Sequence, residues 1–219
     1  MPLRKSFLAG HYYRLIEHRV LPRVNRLTLS PNHFTLIGFF LAAVVPAGFF
    51  LHPLIGFFFM LTSGVADTLD GLMARRRNAA STFGAFLDSS LDRVSDFFYI
   101  FGFWSLFWHS ERHVLAGSLI FASFLTTSMI SYVQARSEAL GGTCGIGWME
   151  RGWRTVFLIL WALLVGILPA FRDLVLWTGL VLYFLLTAVT VLQRMIYCGR
   201  EFARLKKLPS TAKRRRSSI

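Results

Sequence analysis

Cysteine is scarce in this chain. Cys144 and Cys198 are its two thiols in 219 residues, too few for a disulfide framework, and no bridge between them is expected. The six histidines are scattered without the spacing of a metal-binding set. No internal repeat, Walker loop or dinucleotide fingerprint is present. Gly141-Gly142 and Gly145-x-Gly147 form a glycine-containing loop without the lysine or strand context of a phosphate loop. The first 20 or so residues lack the compact apolar run and small-residue cleavage site of a signal peptide, so no processing is expected. Acid is also short: 11 Asp and Glu stand against 24 Lys and Arg, a net charge of +13.

What the chain has in abundance is apolar length. It is 54% hydrophobic with a mean hydropathy of +0.52, and several runs approach or exceed the roughly 20 residues that cross a bilayer. An all-α integral membrane protein is expected, because only helices satisfy their backbones within lipid without closing into a barrel. Six transmembrane helices are placed near 32–51, 54–74, 83–108, 114–138, 155–170 and 174–197. Basic residues flank one set of ends: Arg4, Lys5, Arg14, Arg19, Arg23 and Arg26 before the first span, Arg75, Arg76 and Arg77 after the second, and Arg136, Arg151 and Arg154 between the fourth and fifth. The opposite loops hold only Arg112 and Arg172. The positive-inside rule then puts both termini and the aspartate-bearing ends in the cytoplasm, in the cell (inner) membrane. Excess basic charge also suits anionic headgroups. No nucleic-acid partner is expected, because no RNA- or DNA-reading module accompanies the basic tail.

Three regions follow. Residues 1–29 alternate apolar and basic side chains over 8–26, as a helix lying in the membrane interface would, and Pro22 is expected to kink or end it. Residues 30–200 form the membrane domain, opened by Ser30-Pro31-Asn32. Residues 201–219 form a basic tail, expected to be disordered from about Pro209.

Within this apolar chain stand Asp67, Asp70, Asp88 and Asp92. A carboxylate at membrane depth costs a few kcal/mol or more unless it is paired, hydrated or metal-bound, so such a cluster is read as a functional site. Asp67 and Asp70 are three apart and Asp88 and Asp92 four apart, so each pair shares one helical face. Converging carboxylates suit hard cations, Mg2+ or Mn2+ rather than Zn2+. Two such ions could be held by this set of acids and together offset several negative charges on a substrate. Asp92, one turn beyond Asp88, can touch the metal site and still accept a proton from an attacking hydroxyl. Gly71 removes a side chain from the face between the acids, Ala74 keeps the same face low, Arg75 is placed to pair an anion, and Gly84 lets the facing helix come close. Asp96 continues the stripe and is read as a supporting group paired with Arg93 or the backbone. Glu17, Glu111, Asp173 and Glu201 are expected to be solvated.

Read in full, Asp67-x-x-Asp70-Gly71-x-x-Ala74-Arg75, eight residues, then Gly84-x-x-x-Asp88-x-x-x-Asp92 resembles the signature of the CDP-alcohol phosphotransferase family. The resemblance implies a phospholipid biosynthesis enzyme: an alcohol attacks the β-phosphate of a CDP-lipid, commonly CDP-diacylglycerol, and CMP leaves. It also implies a homodimer. Ser131 to Glu138, Glu150 to Arg154 and Gln193-Arg194-Met195 resemble the phosphatidylinositol phosphate synthase branch, in which basic residues hold the phosphate of inositol 1-phosphate. Arg154 and Arg194 match such positions. One departure stands out: Gln134 replaces a lysine usual in that branch, which removes a charge from the acceptor pocket. Glycerol 3-phosphate is the closest competing acceptor, ahead of serine. Two readings from other classes remain alongside. A transporter would spread polar groups across the bilayer, whereas these acids cluster toward one face. A non-catalytic scaffold would tolerate loss of Asp67.

Overall fold

The computed structural model describes residues 7–24, 30–77 and 81–207. Arg4, Lys5, Arg26 and the tail from Pro209 onward lie outside the described residues. A helical run of α1 (Phe7–Leu15), a π-helical turn (Ile16–Val20) and α2 (Leu21–Val24) precedes six longer helices: α3 (Pro31–Leu51), α4 (Pro53–Arg76), α5 (Thr82–Ser105), α6 (His113–Ala139), α7 (Arg151–Ile167) and α8 (Arg172–Lys207). Among the described residues there is no strand. Pro22 is the second residue of the four-residue α2, which ends at Val24 and follows directly on the π turn.

The starts of the helices follow from local chemistry. Ser30 is extended, Pro31 fills the first helical position, and the Ser30 amide donates to His33 Nδ1 at 3.2 Å. His52 alone joins α3 to α4, accepting from the Leu54 amide at 3.2 Å through Nδ1. So short a link makes the two helices antiparallel neighbours. Their close approach requires small residues: a β-carbon on Gly48 would lie 3.0 Å from the Gly56 nitrogen.

α3 packs against both α4 and α5, α4 against α7, and α6 against both α5 and α8. In the central core, Phe103 of α5 stacks on Trp161 of α7 with ring centroids 3.8 Å apart and planes 7° from parallel. The indole Nε1 donates to Val175 O at 3.0 Å, drawing in α8. A smaller core at the aspartate-bearing end joins Ile16 and Leu21 to Phe34, Leu69, Leu72 and Met73. It clamps the N-terminal run onto α3 and α4.

Among the described residues, four helical stretches are long and apolar enough to cross a membrane: Pro31–Leu51, Pro53–Arg76, His113–Ala139 and Pro169–Arg204. The other two of the six expected spans differ for physical reasons. α5 carries Asp88, Asp92, Arg93 and Asp96, and α7 has 17 residues, short of the roughly 20 that fill a hydrocarbon core. Large side chains such as Phe40, Phe50, Phe58, Phe86 and Phe121 are exposed, a surface suited to lipid. α8 runs on past residue 197 to Lys207.

Before α7, the chain between α6 and α7 lies on α8. The buried, free Cys144 approaches Arg194 O at 4.0 Å, and Cys198 is also buried. Burial, reinforced by the Cys198 thiol beside it, pushes the Cys144 thiol up to about 12. Thiolate is the reacting species, so the native protein is expected to resist iodoacetamide at Cys144 at pH 8. Peptide mass spectrometry before and after denaturation checks this, and rapid native labelling would contradict it.

Candidate active site

Asp67 and Asp70 project from α4, and Asp88 and Asp92 from α5. One carboxylate oxygen from each of Asp67, Asp70 and Asp88 lies within 4.8 Å of the others. This spacing fits the hard oxygen donors of a divalent cation. Asp70 is buried and accepts from Thr35 Oγ1 of α3 at 2.8 Å. Asp88 Oδ1 is buried and, among the described residues, has no hydrogen-bond partner. An orphaned carboxylate oxygen facing two other acids is what a cation would satisfy.

Asp92 stands apart from that trio. It forms an ion pair with Arg151 of α7, and Arg151 Nη2 also lies 2.8 Å from Asp67 Oδ1. In sequence Arg151 counts only among the basic residues that flank the cytoplasmic ends. Its nearness to Asp67 is set by the packing of α7 on α4, which no local pattern reveals.

Asp67, Asp92, Arg151 and Thr35 line a cavity of about 480 Å3 whose far wall is apolar, with Phe39, Leu61, Val156 and Leu160. Tyr12 and Tyr13 of α1 also line it, and Tyr12 Oη lies 3.2 Å from Thr68 Oγ1. Beneath Asp67, Tyr99 Oη donates to Ser63 Oγ at 2.7 Å and Ser63 Oγ donates to Gly38 O at 2.6 Å. A polar floor and an apolar wall in one cavity suit an amphiphilic substrate.

Other predicted positions are distributed more widely. Arg75 lines a second cavity, beside Glu17, His18 and Arg76. A β-carbon on Gly71 would meet the Arg75 guanidinium at 3.6 Å, and one on Gly84 would lie 3.3 Å from Asn32 Oδ1 at the start of α3. Gly84 therefore permits the close approach of α5 to α3. Ala74 is half-buried on the same stretch of α4.

Arg154 and Arg194 are 1% and 3% exposed, so neither reaches outward to headgroups. Arg154 Nη2 pairs with Asp96 at 3.0 Å and Nη1 donates to Met149 O at 3.1 Å. This corrects the expected partner of Asp96, which is Arg154 rather than Arg93. Arg194 donates to Ile146 O at 2.8 Å, Ile130 O at 2.7 Å and Gln134 Oε1 at 2.8 Å. The expectation for Glu201 is corrected too: it accepts from the amide and hydroxyl of Thr143, both at 2.9 Å, and ties the connector to α8.

A helical membrane protein with clustered carboxylates beside an amphiphile-sized cavity defines a class of enzymes acting on lipid substrates. Sequence comparison narrows the class: the family model for CDP-alcohol phosphatidyltransferases matches residues 28–192, and the chain belongs to that family. It is 36% identical over 200 residues to the archaetidylinositol phosphate synthase of Methanothermobacter thermautotrophicus, covering 90% of this chain and 97% of that one. It is 31% identical over 163 residues to the phosphatidylinositol phosphate synthase of Mycobacterium tuberculosis, covering 70% and 71%. The crystal structure of that mycobacterial enzyme with CDP-DAG bound superposes with a TM-score of 0.68 at 27% identity, covering 82% of this chain and 91% of that one. A second structure of it, in complex with manganese and citrate, gives a TM-score of 0.66. The chain is thus a membrane-embedded transferase of phospholipid biosynthesis, and enzymes of its family use divalent metals.

The Asp96–Arg154 pair generates a stability prediction. Removing one partner of a buried ion pair strands the other charge at a typical cost of ~3–5 kcal/mol. Asp96→Ala is expected to be destabilised on that scale, and Asp96→Leu combined with Arg154→Met to regain most of the loss. Unfolding in detergent checks both, and a double variant no more stable than Asp96→Ala would contradict the charge argument.

Proposed function

We propose that the chain transfers a phosphatidyl-type group from a CDP-lipid to a phosphorylated polyol, inositol 1-phosphate foremost, and releases CMP. The observation that carries the acceptor is Arg194, buried in α8 and held by three neutral acceptors, the carbonyls of Ile130 and Ile146 and Gln134 Oε1. Arg154 is already paired with Asp96 at 3.0 Å, so a phosphomonoester is met chiefly by the fork of Arg194, with Arg154 beside it. The relatives' names support the same acceptor. Glycerol 3-phosphate is the alternative, since it offers the same phosphate on a smaller polyol.

In this reading Asp67, Asp70 and Asp88 would hold Mg2+ or Mn2+, two ions in all, with Asp92 at their edge. Bound metal would neutralise the pyrophosphate and stabilise the departing CMP oxygen. Gly71 and Ala74 leave room for the nucleotide, Arg75 pairs one of its phosphates, and Gly84 keeps α5 against α3. Arg154 and Arg194 orient the acceptor so that its hydroxyl faces the β-phosphate. Asp92 takes the hydroxyl proton as the new oxygen–phosphorus bond forms and the bond to CMP breaks. The apolar wall of the cavity receives the lipid tails.

The same reading fills in the setting. All six helices α3–α8 span the bilayer, the charges of α5 being met by Arg151 and Arg154 of α7, and both termini and the aspartates face the cytoplasm. Residues 1–29 ride the interface, 30–200 form the catalytic domain and 201–219 a basic tail. A homodimer is part of the same reading; of the small residues that α5 and α6 offer for close packing, Gly102 faces Phe49 and Ser123 is buried, both within the protomer.

Purified protein in nanodiscs with CDP-diacylglycerol, Mg2+ or Mn2+ and a panel of acceptors, assayed for CMP, tests the reaction. Inositol 1-phosphate is expected to support release and free inositol not. Arg194→Ala should raise KM for the phosphorylated acceptor roughly tenfold or more, the scale of a charge-assisted hydrogen bond, with little change for CDP-lipid. Equal use of free inositol, glycerol or serine would refute a phosphate pocket. The metal assignment has its own check. Asp70→Asn is expected to lose both turnover and Mn2+ binding by paramagnetic resonance, and full turnover in excess chelator would end it.

A further inference from the structure

A cation in the first turn of a helix opposes the helix dipole, yet Arg151 is the first residue of α7. Helix stability does not explain its place. What it meets does. Its guanidinium lies between Asp67 of α4, at 2.8 Å, and Asp92 of α5. Its Nε is buried and, among the described residues, without a hydrogen-bond partner. The side chain, 38% exposed, lines the cavity beside Thr35 and Tyr99. One guanidinium therefore serves two acids, and one of these, Asp67, also belongs to the trio whose oxygens converge within 4.8 Å.

A divalent ion on Asp67 and a guanidinium on the same carboxylate repel each other, so their occupancies are coupled. We propose that Arg151 is a built-in counter-cation of the aspartate cluster: it competes with divalent metal for Asp67, and once displaced it pairs a phosphate oxygen of the nucleotide-lipid. This rests on the reading that Asp67, Asp70 and Asp88 hold metal. The geometry supplies both halves. The guanidinium already sits on the cavity wall, so a rotation of its flexible stem takes the fork from carboxylate to phosphate without moving α7. Its planar donors match either anion. While docked, it also occupies Asp92, so the base is kept from the acceptor until the cavity is loaded. Linkage makes the coupling reciprocal: whatever Arg151 takes from metal affinity, metal takes from the Arg151 contacts.

Mn2+ titration of the wild-type protein, Arg151→Gln and Arg151→Lys in nanodiscs without nucleotide, read by paramagnetic resonance of free Mn2+, tests the competition. Arg151→Gln is expected to bind Mn2+ at least about fivefold tighter, the lower end of typical coupling. Arg151→Lys, whose single ammonium does not bridge both acids, should shift in the same direction by less and carries the test if the glutamine variant does not fold. With CDP-diacylglycerol added, Arg151→Gln should show a raised KM for the lipid. Unchanged or weaker Mn2+ binding by the folded variants would overturn the competition. Tighter Mn2+ binding with an unchanged KM would overturn the transfer to phosphate. A wild-type protein that binds no Mn2+ would remove the metal reading itself, a failure distinct from the other two.

Discussion

Charge taken out of water must be answered by charge or by hydrogen bonds, and that demand fixes how the helices of this protein meet. Asp70 is answered by Thr35 of α3, Asp67 and Asp92 by Arg151 of α7, and Asp96 by Arg154 one turn further along the same helix. The first turn of α7 is thus held to α4 and α5 by three carboxylates. Arg194 of α8 extends the polar web to α6 and to the connector through carbonyls of Ile130 and Ile146. Displacing any one of these helices would strand a buried charge. The site and the architecture are therefore the same set of contacts.

Close approach makes the web possible. Ser63 Oγ donates to the Gly38 carbonyl at 2.6 Å, and a β-carbon at residue 38 would rest on Ala66 Cβ at 3.4 Å, so the two backbones lie in near contact. With α3 and α4 this near, Thr35 comes within hydrogen-bond range of Asp70. Deeper in the bundle the stacked Phe103 and Trp161 bind α5 to α7 by area rather than charge. The apolar layer fixes the helix axes, and the polar layer above it then needs only side-chain adjustment to bring oxygens together.

This division explains what the sequence disclosed. Spacing alone put Asp67 with Asp70 and Asp88 with Asp92, because helical periodicity is local, and hydropathy placed the long helices to within a few residues except where α8 runs on to Lys207. The partners of charges were hidden. Asp96 has Arg93 as a near neighbour in sequence, yet its partner is Arg154, 58 residues away, and Arg151 reaches Asp67 across 84. Such pairings depend on helix order in the bundle. Glu201 had the pattern of a solvated terminal-helix charge and instead caps Thr143. The cue, in hindsight, was two arginines in the first turn of α7, where the dipole disfavours them.

The two buried arginines are not equivalent. Arg154 has a carboxylate partner, so its charge is already met at 3.0 Å by Asp96. Arg194 is held by three neutral acceptors, two carbonyls and Gln134, which orient the guanidinium without cancelling it. Gln134 is suited to this task in a way lysine is not: its amide oxygen accepts from Arg194 at 2.8 Å while its Nε2 donates to Glu138 at 3.0 Å. A lysine there would repel Arg194 and offer no acceptor. Replacing charge by a hydrogen-bonded amide therefore exchanges one positive group for the fixed aim of another. In the proposed acceptor reading, a phosphate would be drawn chiefly to Arg194, because Arg154 is already paired with Asp96.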